Sequence, residues 1–223
     1  MLVLLPPSEG KSAPTAGPAL DLAALSAPEL TAHRREVLDA LVAVSATPQA
    51  AQVLGVGPSL ADEVVRNTRL HEAASAPAAQ VYSGVFYAAA GLATLPPAAA
   101  RRACDQVRIV SALWGAVGPD DPVPAYRLSM GTDLPGVGPL AAYWRDRLPQ
   151  ALDPIAGDLV VDCRSSAYAS AWTPPADVCW VQVRVEQQVG DRRRVVSHHA
   201  KHARGLLTGH LLRHRGRAPH DAG

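Results

Sequence analysis

The sequence predicts an α/β protein, and three features of its 223 residues support that fold class. Short apolar runs at residues 2–5, 107–113 and 158–162 have the length of buried strands. Longer segments with helical spacing of apolar residues lie between them, such as residues 28–45. This alternation is typical of a central sheet flanked by helices, and the length suits one domain or a domain with a small insert.

The predicted elements follow one another along the chain. Two prolines stop the first apolar run, Leu2-Val-Leu-Leu5, which indicates a strand that enters a loop. Residues 28–45 repeat apolar side chains near helical spacing, among them Val37, Leu38 and Leu41. The other predicted elements are helices over 48–54, 96–104 and 139–148, strands over 107–113, 158–162, 178–185 and 194–197, and a last helix with Leu206, Leu207, Leu211 and Leu212 on one face.

The composition limits the class of protein and its compartment. Hydrophobic residues make up 48% and charged residues 18%, which fits a globular protein and excludes global disorder. The sequence has no apolar run of about 18 residues that would span a membrane, and its first residues lack the basic start of a secretory signal. Three dispersed cysteines do not suit a disulfide framework, so we expect a cytoplasmic protein without a membrane partner.

Positive charge is concentrated near the end of the chain, although the net charge is only +1. Every histidine except His33 and His71 lies in the last stretch, and most acidic residues precede it. Lysine occurs only at Lys11 and Lys201, while arginine supplies all other fixed positive charge. Lysine offers a compact charge whose pKa falls readily on burial, which arginine does not. We therefore expect at least one of these two lysines to be functional.

Four segments share one pattern, in which an apolar run is followed by a loop dense in polar groups. If their strands belong to one sheet, the loops meet in one cleft that suits phosphate or carboxylate recognition. Glu9 or His198 would then serve as a general base, and Lys11 or Lys201 as a charge stabiliser or nucleophile. The members of the four segments are Ser8, Glu9 and Lys11; Tyr126, Arg127 and Ser129; Arg164, Ser165 and Tyr168; and His198, Lys201 and Arg204.

A further motif lies at Leu54-Gly-Val-Gly57, where two glycines surround Val56 before an expected helix. This is the form of a helix-hairpin-helix, whose backbone N–H groups approach a phosphate because Gly55 and Gly57 carry no side chains. An ordinary turn between two packed helices explains the same pattern. The acidic pair Asp62 and Glu63 follows where a DNA-binding copy would favour basic residues.

Metal and redox chemistry are weakly indicated. The pairs His198/His202 and His210/His214 have i, i+4 spacing, but the chain has neither an H-E-x-x-H nor a C-x-x-C motif. We therefore predict no metal site and no cofactor. Cys163 follows a predicted strand and precedes an arginine that would lower its pKa, so a redox role for this thiol remains an alternative to a buried structural one.

Several of these segments resemble the YaaA family, whose bacterial cytosolic members are associated with resistance to peroxide stress. The resemblance extends over nearly the whole chain, with the motifs in the same order. They are Leu2-Val-Leu-Leu-Pro-Pro-Ser-Glu-Gly-Lys11, Val81-Tyr-Ser-Gly84, Ser111-Ala-Leu-Trp-Gly115, Tyr126-Arg-Leu-Ser-Met-Gly131, Ser165 with Tyr168, and Ala200-Lys-His-Ala-Arg-Gly-Leu206.

The resemblance implies a single mixed α/β domain over residues 1–223, with a helix-hairpin-helix element at 46–67 and a positively charged cleft. It also implies DNA binding and protection of DNA from damage driven by peroxide and iron. Carried onto this sequence, the hairpin comprises Gly55, Val56 and Gly57, and the cleft candidates are Lys11, Arg127, Lys201 and Arg204.

Two functions therefore stand side by side. The first is a cytosolic stress-response protein that binds DNA through the positive cleft. The second is an enzyme that acts on a small phosphorylated or carboxylated metabolite, or on a nucleotide, in the cleft of Lys11 and Lys201. The sequence leaves open the oligomeric state and the identity of any substrate.

Overall fold

The helices and strands described here come from a computed structural model. It describes the chain over residues 1–189, 192–195, 197–214 and 216, with the backbone alone over 187–189, 192–195 and 197–199. The strands are β1 (Leu2–Leu5), β2 (Ala76–Pro77), β3 (Val107–Ser111), β4 (Gly115–Val117), β5 (Pro122–Val123), β6 (Asp133–Leu134), β7 (Gly138–Pro139), β8 (Leu159–Asp162), β9 (Cys179–Gln182), β10 (Glu186–Val189) and β11 (Arg192–Val195).

Helices cover the sheet and join its strands. They are α1 (Thr31–Ser45), α2 (Ala50–Val53), α3 (Ala61–Asn67), α4 (Ala78–Val81), α5 (Val85–Ala90), α6 (Pro97–Gln106), α7 (Leu140–Arg145), α8 (Pro149–Leu152), α9 (Ser166–Ala169) and α10 (Ser197–Arg213). Short 3₁₀ turns occupy Leu22–Ala24, Pro28–Leu30, Pro58–Leu60, Leu92–Thr94 and Asp153–Ile155.

The central sheet has five strands in the order β4-β3-β1-β8-β9. Strand β1 lies in the middle and pairs in parallel with β3 and β8, and β9 continues the parallel arrangement on the far side of β8. Strand β4 runs antiparallel to β3 at one edge. The predicted fold class, a mixed α/β protein with a central sheet flanked by helices, is confirmed.

Burial explains why the first apolar run becomes the middle strand. All four residues of β1 are buried, and β8 is buried along its whole length. Parallel strands are covered on both faces by helices, so they are continuously apolar rather than alternating. Helix α1 contributes Val37, Leu38 and Leu41 to the same core. The positions that the sequence assigned to the core of this helix are therefore confirmed.

The last helix packs differently from the prediction. Leu206, expected on the buried face, is 53% exposed, and α10 instead contacts α5 through Gly205 and Gly209. A Cβ atom at Gly205 would lie 2.4 Å from the Phe86 carbonyl oxygen, and one at Gly209 would lie 2.7 Å from the Ala90 carbonyl oxygen. The two backbones approach so closely that only glycine fits, which turns the leucine stripe partly outward.

Two other segments also differ from the sequence prediction. The last strand ends at Val195 and Ser197 begins α10, so the expected strand over 194–197 is wrong at its C-terminal end; residue 196 lies outside the described residues. The glycines and prolines of residues 114–124 predict a long loop, but the structure has the short strands β4 and β5 in this segment. Trp114 itself lies between β3 and β4 and is fully buried, with its ring edge-on to that of Tyr126 at 5.8 Å between ring centres.

Candidate functional site

A cavity of about 370 Å³ opens at the carboxyl edge of the sheet, between the loops that follow β1 and β8. The chain leaves β1 for β3 on one side and leaves β8 for β9 on the other, so the winding direction reverses at this place. Open α/β sheets bind their ligands in such crevices. The lining residues are Pro6, Pro7, Ser8, Glu9, Gly10, Ser83, Gly84, Val85, Phe86, Tyr87, Cys163, Ser165, Tyr168, Lys201 and Arg204.

The loop after β1 is fastened to the segment that begins α5. The Ser83 amide donates to Ser8 Oγ at 3.0 Å, and the Ser83 hydroxyl donates to the Gly10 carbonyl at 3.1 Å. Ser8 Oγ also donates to the Gly10 carbonyl, and Tyr87 donates to the Pro6 carbonyl at 2.7 Å. Both Ser8 and Glu9 line the cavity, as the shared loop pattern predicted, but the hydroxyl of Ser8 is engaged in holding the loop.

Lys11 lies against the aromatic core and is not among the cavity-lining residues. Its Nζ donates to the Ser8 carbonyl at 2.8 Å and lies 4.1 Å from the centre of the Tyr126 ring. Burial lowers the pKa of Lys11 from 10.5 to about 7, and the nearby Glu9 carboxylate opposes part of that decrease. Tyr126, also expected in the polar cleft, is buried and bonded to the Tyr82 hydroxyl at 3.0 Å.

Arg127 reaches the cavity loop but is already paired. Its guanidinium forms ion pairs with Glu9 at 2.9 Å and Glu63 at 3.6 Å, and its side chain is 18% exposed. The two carboxylates neutralise its charge locally, so Arg127 contributes little positive potential to the cavity. Ser129, two residues further on, is not among the residues that line the cavity.

Arg164 was predicted to bind an anion, and the structure places it in the core instead. Its side chain is fully buried, with Nε 2.9 Å from Asp162 Oδ1 and one terminal nitrogen 2.7 Å from Asp162 Oδ2. The same terminal nitrogen also donates to the Trp172 carbonyl at 2.8 Å, and the other one donates to the Tyr168 carbonyl at 3.2 Å. A buried guanidinium requires this complete set of partners, and it therefore supports the loop after β8 rather than facing the cavity.

The loop after β8 forms the second wall of the cavity. Ser165 is exposed there and precedes α9, and Tyr168 is buried with a raised pKa caused by burial. Cys163 is buried 3.8 Å from the Thr208 hydroxyl, and burial raises the pKa of its thiol to about 11. The expected decrease from the adjacent arginine is therefore wrong, because Asp162 binds that guanidinium. The thiol stays protonated at neutral pH.

Helix α10 provides the cations of the cavity. Lys201 is exposed and lines it, and Arg204 lines it while donating through Nε to the Val183 carbonyl at 2.9 Å. The two lysines expected in one pocket are thus separated, with Lys201 at the cavity and Lys11 against Tyr126. The side chain of His198, the other predicted general base, lies outside the described residues.

The predicted hairpin is a separate surface feature. Gly55, Val56 and Gly57 connect α2 to the turn that precedes α3, and Gly55 has a positive φ of 63°. No atom lies within 4 Å of a Cβ built at either glycine, so their backbone is open to solvent. The neighbouring acidic residues Asp62 and Glu63 occupy the first turn of α3. A helix-hairpin-helix function for residues 46–67 stays a prediction.

The part of the chain that the structure describes contains neither a cluster of metal-ligating side chains nor a membrane-spanning helix. Within it, no three histidine, cysteine or acidic side chains converge on a point where a metal ion would bind. None of its helices combines the length and apolarity that crossing a bilayer requires.

Sequence reasoning missed one wall of the cavity and one supporting residue. The missed wall is the start of α5, with Ser83, Gly84 and Val85. The Val81-Tyr-Ser-Gly84 motif, which belongs to the family resemblance, was the available signal. The missed supporting residue is Asp162, the last residue of β8, which binds Arg164. Its position at the end of an apolar strand gave no sign of which cation it would bind.

The fold and the site define an α/β protein with a cavity, lined by Glu9, Lys201 and Arg204 among others, where the winding of its sheet reverses. The chain belongs to the family described as peroxide stress protein YaaA, whose model matches residues 1–222. It is 46% identical over 215 residues to a UPF0246 protein of Streptomyces coelicolor, covering 95% of this chain and 83% of that one. A UPF0246 protein of Corynebacterium efficiens is 43% identical over 212 residues, covering 93% and 83%. One of Cereibacter sphaeroides is 32% identical over 239 residues, covering 99% and 90%. The resemblance in the sequence motifs is thereby confirmed.

Proposed function

We propose that the protein serves in the peroxide stress response by binding DNA, with a phosphate group of the strand received in the cavity beside α10. The observation that carries this proposal is that Lys201, Arg204 and Ser165 line one cavity at the reversal point of the sheet. Cationic side chains and hydroxyls are the groups that proteins use most often to contact phosphate oxygens.

The charges around the cavity favour α10 as the phosphate-binding wall. Arg127 is neutralised by Glu9 and Glu63, and the lowered pKa of Lys11 reduces its charge near neutral pH. Lys201 is exposed, and no ion pair of its ammonium is found among the described residues. Cations supplied by α10 therefore dominate the potential felt by an anion that approaches the cavity.

The size of the cavity limits what enters it. A volume of about 370 Å³ lies within the range of small-molecule sites, whereas duplex DNA is far too wide to enter. A single phosphate or one unpaired nucleotide fits this space, and the rest of the strand would contact the surface outside. The open backbone at Gly55 and Gly57 is our candidate for a second phosphate contact.

Fluorescence anisotropy with labelled duplex, bubble and single-stranded DNA, at two salt concentrations, tests this function. We expect binding that weakens as salt rises, because phosphate contacts release counterions. Lys201→Ala should weaken binding to all sequences and reduce the salt slope by about 1. Arg101→Ala, which removes an exposed cation of α6 away from the cavity, is the control and should bind as the wild type does. Absence of binding to every DNA at low salt would refute the proposal.

A second candidate is an enzyme that acts on a small phosphorylated or carboxylated metabolite, or on a nucleotide. The pKa of Lys11, about 7, favours it, because an amine that titrates near neutral pH exchanges protons readily. Thermal-shift measurements with sugar phosphates, carboxylic acids and nucleotides would identify such a ligand. Lys201→Ala should abolish the shift, and a shift that persists in this variant would place the ligand elsewhere.

A further inference from the structure

Arg127 connects the hairpin helix to the cavity through contacts at both ends of the residue. Asn67, the last residue of α3, is fully buried, and its side-chain amide binds the backbone of Arg127 on both sides. Its Nδ2 donates to the Arg127 carbonyl at 2.8 Å, and its Oδ1 accepts from the Arg127 amide at 2.8 Å. This double hydrogen bond holds the backbone of Arg127 against the C-terminal end of α3.

The guanidinium of Arg127 then spans two acidic side chains from different elements. One is Glu9 at 2.9 Å, in the loop that lines the cavity, and the other is Glu63 at 3.6 Å, in the first turn of α3. Arg127 also donates to the Glu9 carbonyl at 3.3 Å. The Glu9 side chain is 59% exposed, whereas that of Glu63 is 27% exposed, so the cavity-side carboxylate has more room to move.

We propose that Arg127 is a positioning residue that couples occupancy of the cavity to the hairpin at residues 54–57, and this coupling rests on the DNA-binding function proposed above. Glu9 belongs both to the cavity wall and to the Arg127 ion pair. A phosphate that enters the cavity repels the Glu9 carboxylate and drives it closer to Arg127. A guanidinium held more tightly by Glu9 attracts Glu63 less, so the first turn of α3 loosens beside the hairpin.

The coupling runs in both directions, because linkage between two binding sites is reciprocal. A DNA phosphate at the hairpin approaches Glu63 and weakens its ion pair with Arg127. The ion pair of Arg127 with Glu9, in the cavity loop, changes in turn. Partly exposed ion pairs are individually weak, so we expect a change of about twofold to fivefold at each site rather than a complete switch.

Hydrogen–deuterium exchange with inorganic phosphate as the probe tests the coupling. In the wild type, phosphate should protect the cavity loop around Ser8 and accelerate amide exchange over residues 54–64 by about twofold to fivefold. Glu63→Gln keeps the shape of the side chain and lies outside the cavity wall, so its loop should still be protected while its hairpin no longer responds. Asp62→Asn removes the adjacent exposed carboxylate, which has no ion pair with Arg127, and should respond as the wild type does.

The outcomes separate this inference from the function on which it rests. Protection of the cavity loop without any response of the hairpin in the wild type would overturn the coupling alone. A hairpin response in Glu63→Gln equal to that of the wild type would also overturn it. No change at the cavity loop, even at high phosphate concentration, would overturn the phosphate site and the coupling together. Circular dichroism of both variants checks that each remains folded.

Discussion

Replacing Lys11 by methionine removes a buried amine while keeping an unbranched side chain of similar length. In the folded protein the pKa of Lys11 is lowered from 10.5 to about 7, first of all by burial. The unfolded chain therefore binds more protons than the folded one between about pH 7 and 10.5, and stability contributed by this group rises with pH over that interval. Below about pH 7 both states are protonated, and the destabilisation by the buried charge is present in full.

The size of this effect follows from the two pKa values. The difference, 10.5 − 7, corresponds to roughly 5 kcal/mol at about 1.4 kcal/mol per pH unit. The side chain is partly exposed, and water reaching it reduces that value. We therefore expect the wild type to gain about 2–3 kcal/mol relative to Lys11→Met when the pH is raised from about 6.5 to about 9.5.

Urea unfolding of both proteins at the two pH values measures this difference directly. Other groups that titrate in the same interval are present in both proteins, so their contributions cancel in the comparison. At the lower pH the variant should be at least as stable as the wild type, because it no longer buries a charge beside Tyr126. An equal change of unfolding free energy with pH in both proteins would refute the reasoning, since Lys11 would then titrate at its ordinary pKa.

Four further substitutions, one of them a control, test other parts of the structure by urea unfolding or peroxide assays. Arg164→Met should lower the free energy of unfolding by about 3–5 kcal/mol, because Asp162 is left charged and buried; a loss under about 1 kcal/mol would contradict this. Gly205→Ala should cost about 1–3 kcal/mol, because its Cβ atom would lie 2.4 Å from a backbone oxygen, whereas Leu206→Ala should change stability by less than about 0.5 kcal/mol. Cys163→Ser should consume peroxide at the wild-type rate, because burial raises the pKa of the thiol to about 11, and a slower rate would show that the thiolate reacts.

The buried strands were predictable because a strand that is covered on both faces needs an apolar residue at every position. Leu2–Leu5 is apolar at every position, and a short run of that kind that ends at two prolines indicates a buried strand. Helix α1 was predictable for the same reason, since its apolar spacing is a local property of the chain. Long-range pairing is needed only to place such elements in the sheet, not to recognise them.

The residues that line the cavity were only partly predictable, because polar side chains bind partners that are distant in sequence. Arg164 follows a strand as Ser8 does, yet Asp162 draws it into the core. Lys11 belongs to a loop that lines the cavity, yet its ammonium is held by the Ser8 carbonyl against the ring of Tyr126. Nothing in the local sequence distinguishes a cation that faces a ligand from one that a neighbour has already bound.

The leucines of α10 misled the prediction because glycine carries no hydrophobic signal. Gly205 and Gly209 form the contact with α5, but a pattern based on apolar side chains assigns the buried face to the leucines instead. Close approach of two backbones becomes visible only when both helices are placed together.

That contact between α10 and α5 also bears on the redesign of the protein. The backbones of α10 and α5 are in direct contact at Gly205 and Gly209, so α10 has little freedom to shift along α5. The position of Lys201 at the cavity is therefore fixed by the backbone of α10. Ligand preference can therefore be altered by exchanging the residues at positions 201 and 204 while the scaffold beneath them keeps its shape. Substitutions at Gly205 and Gly209 would instead lower stability without changing the residues that line the cavity.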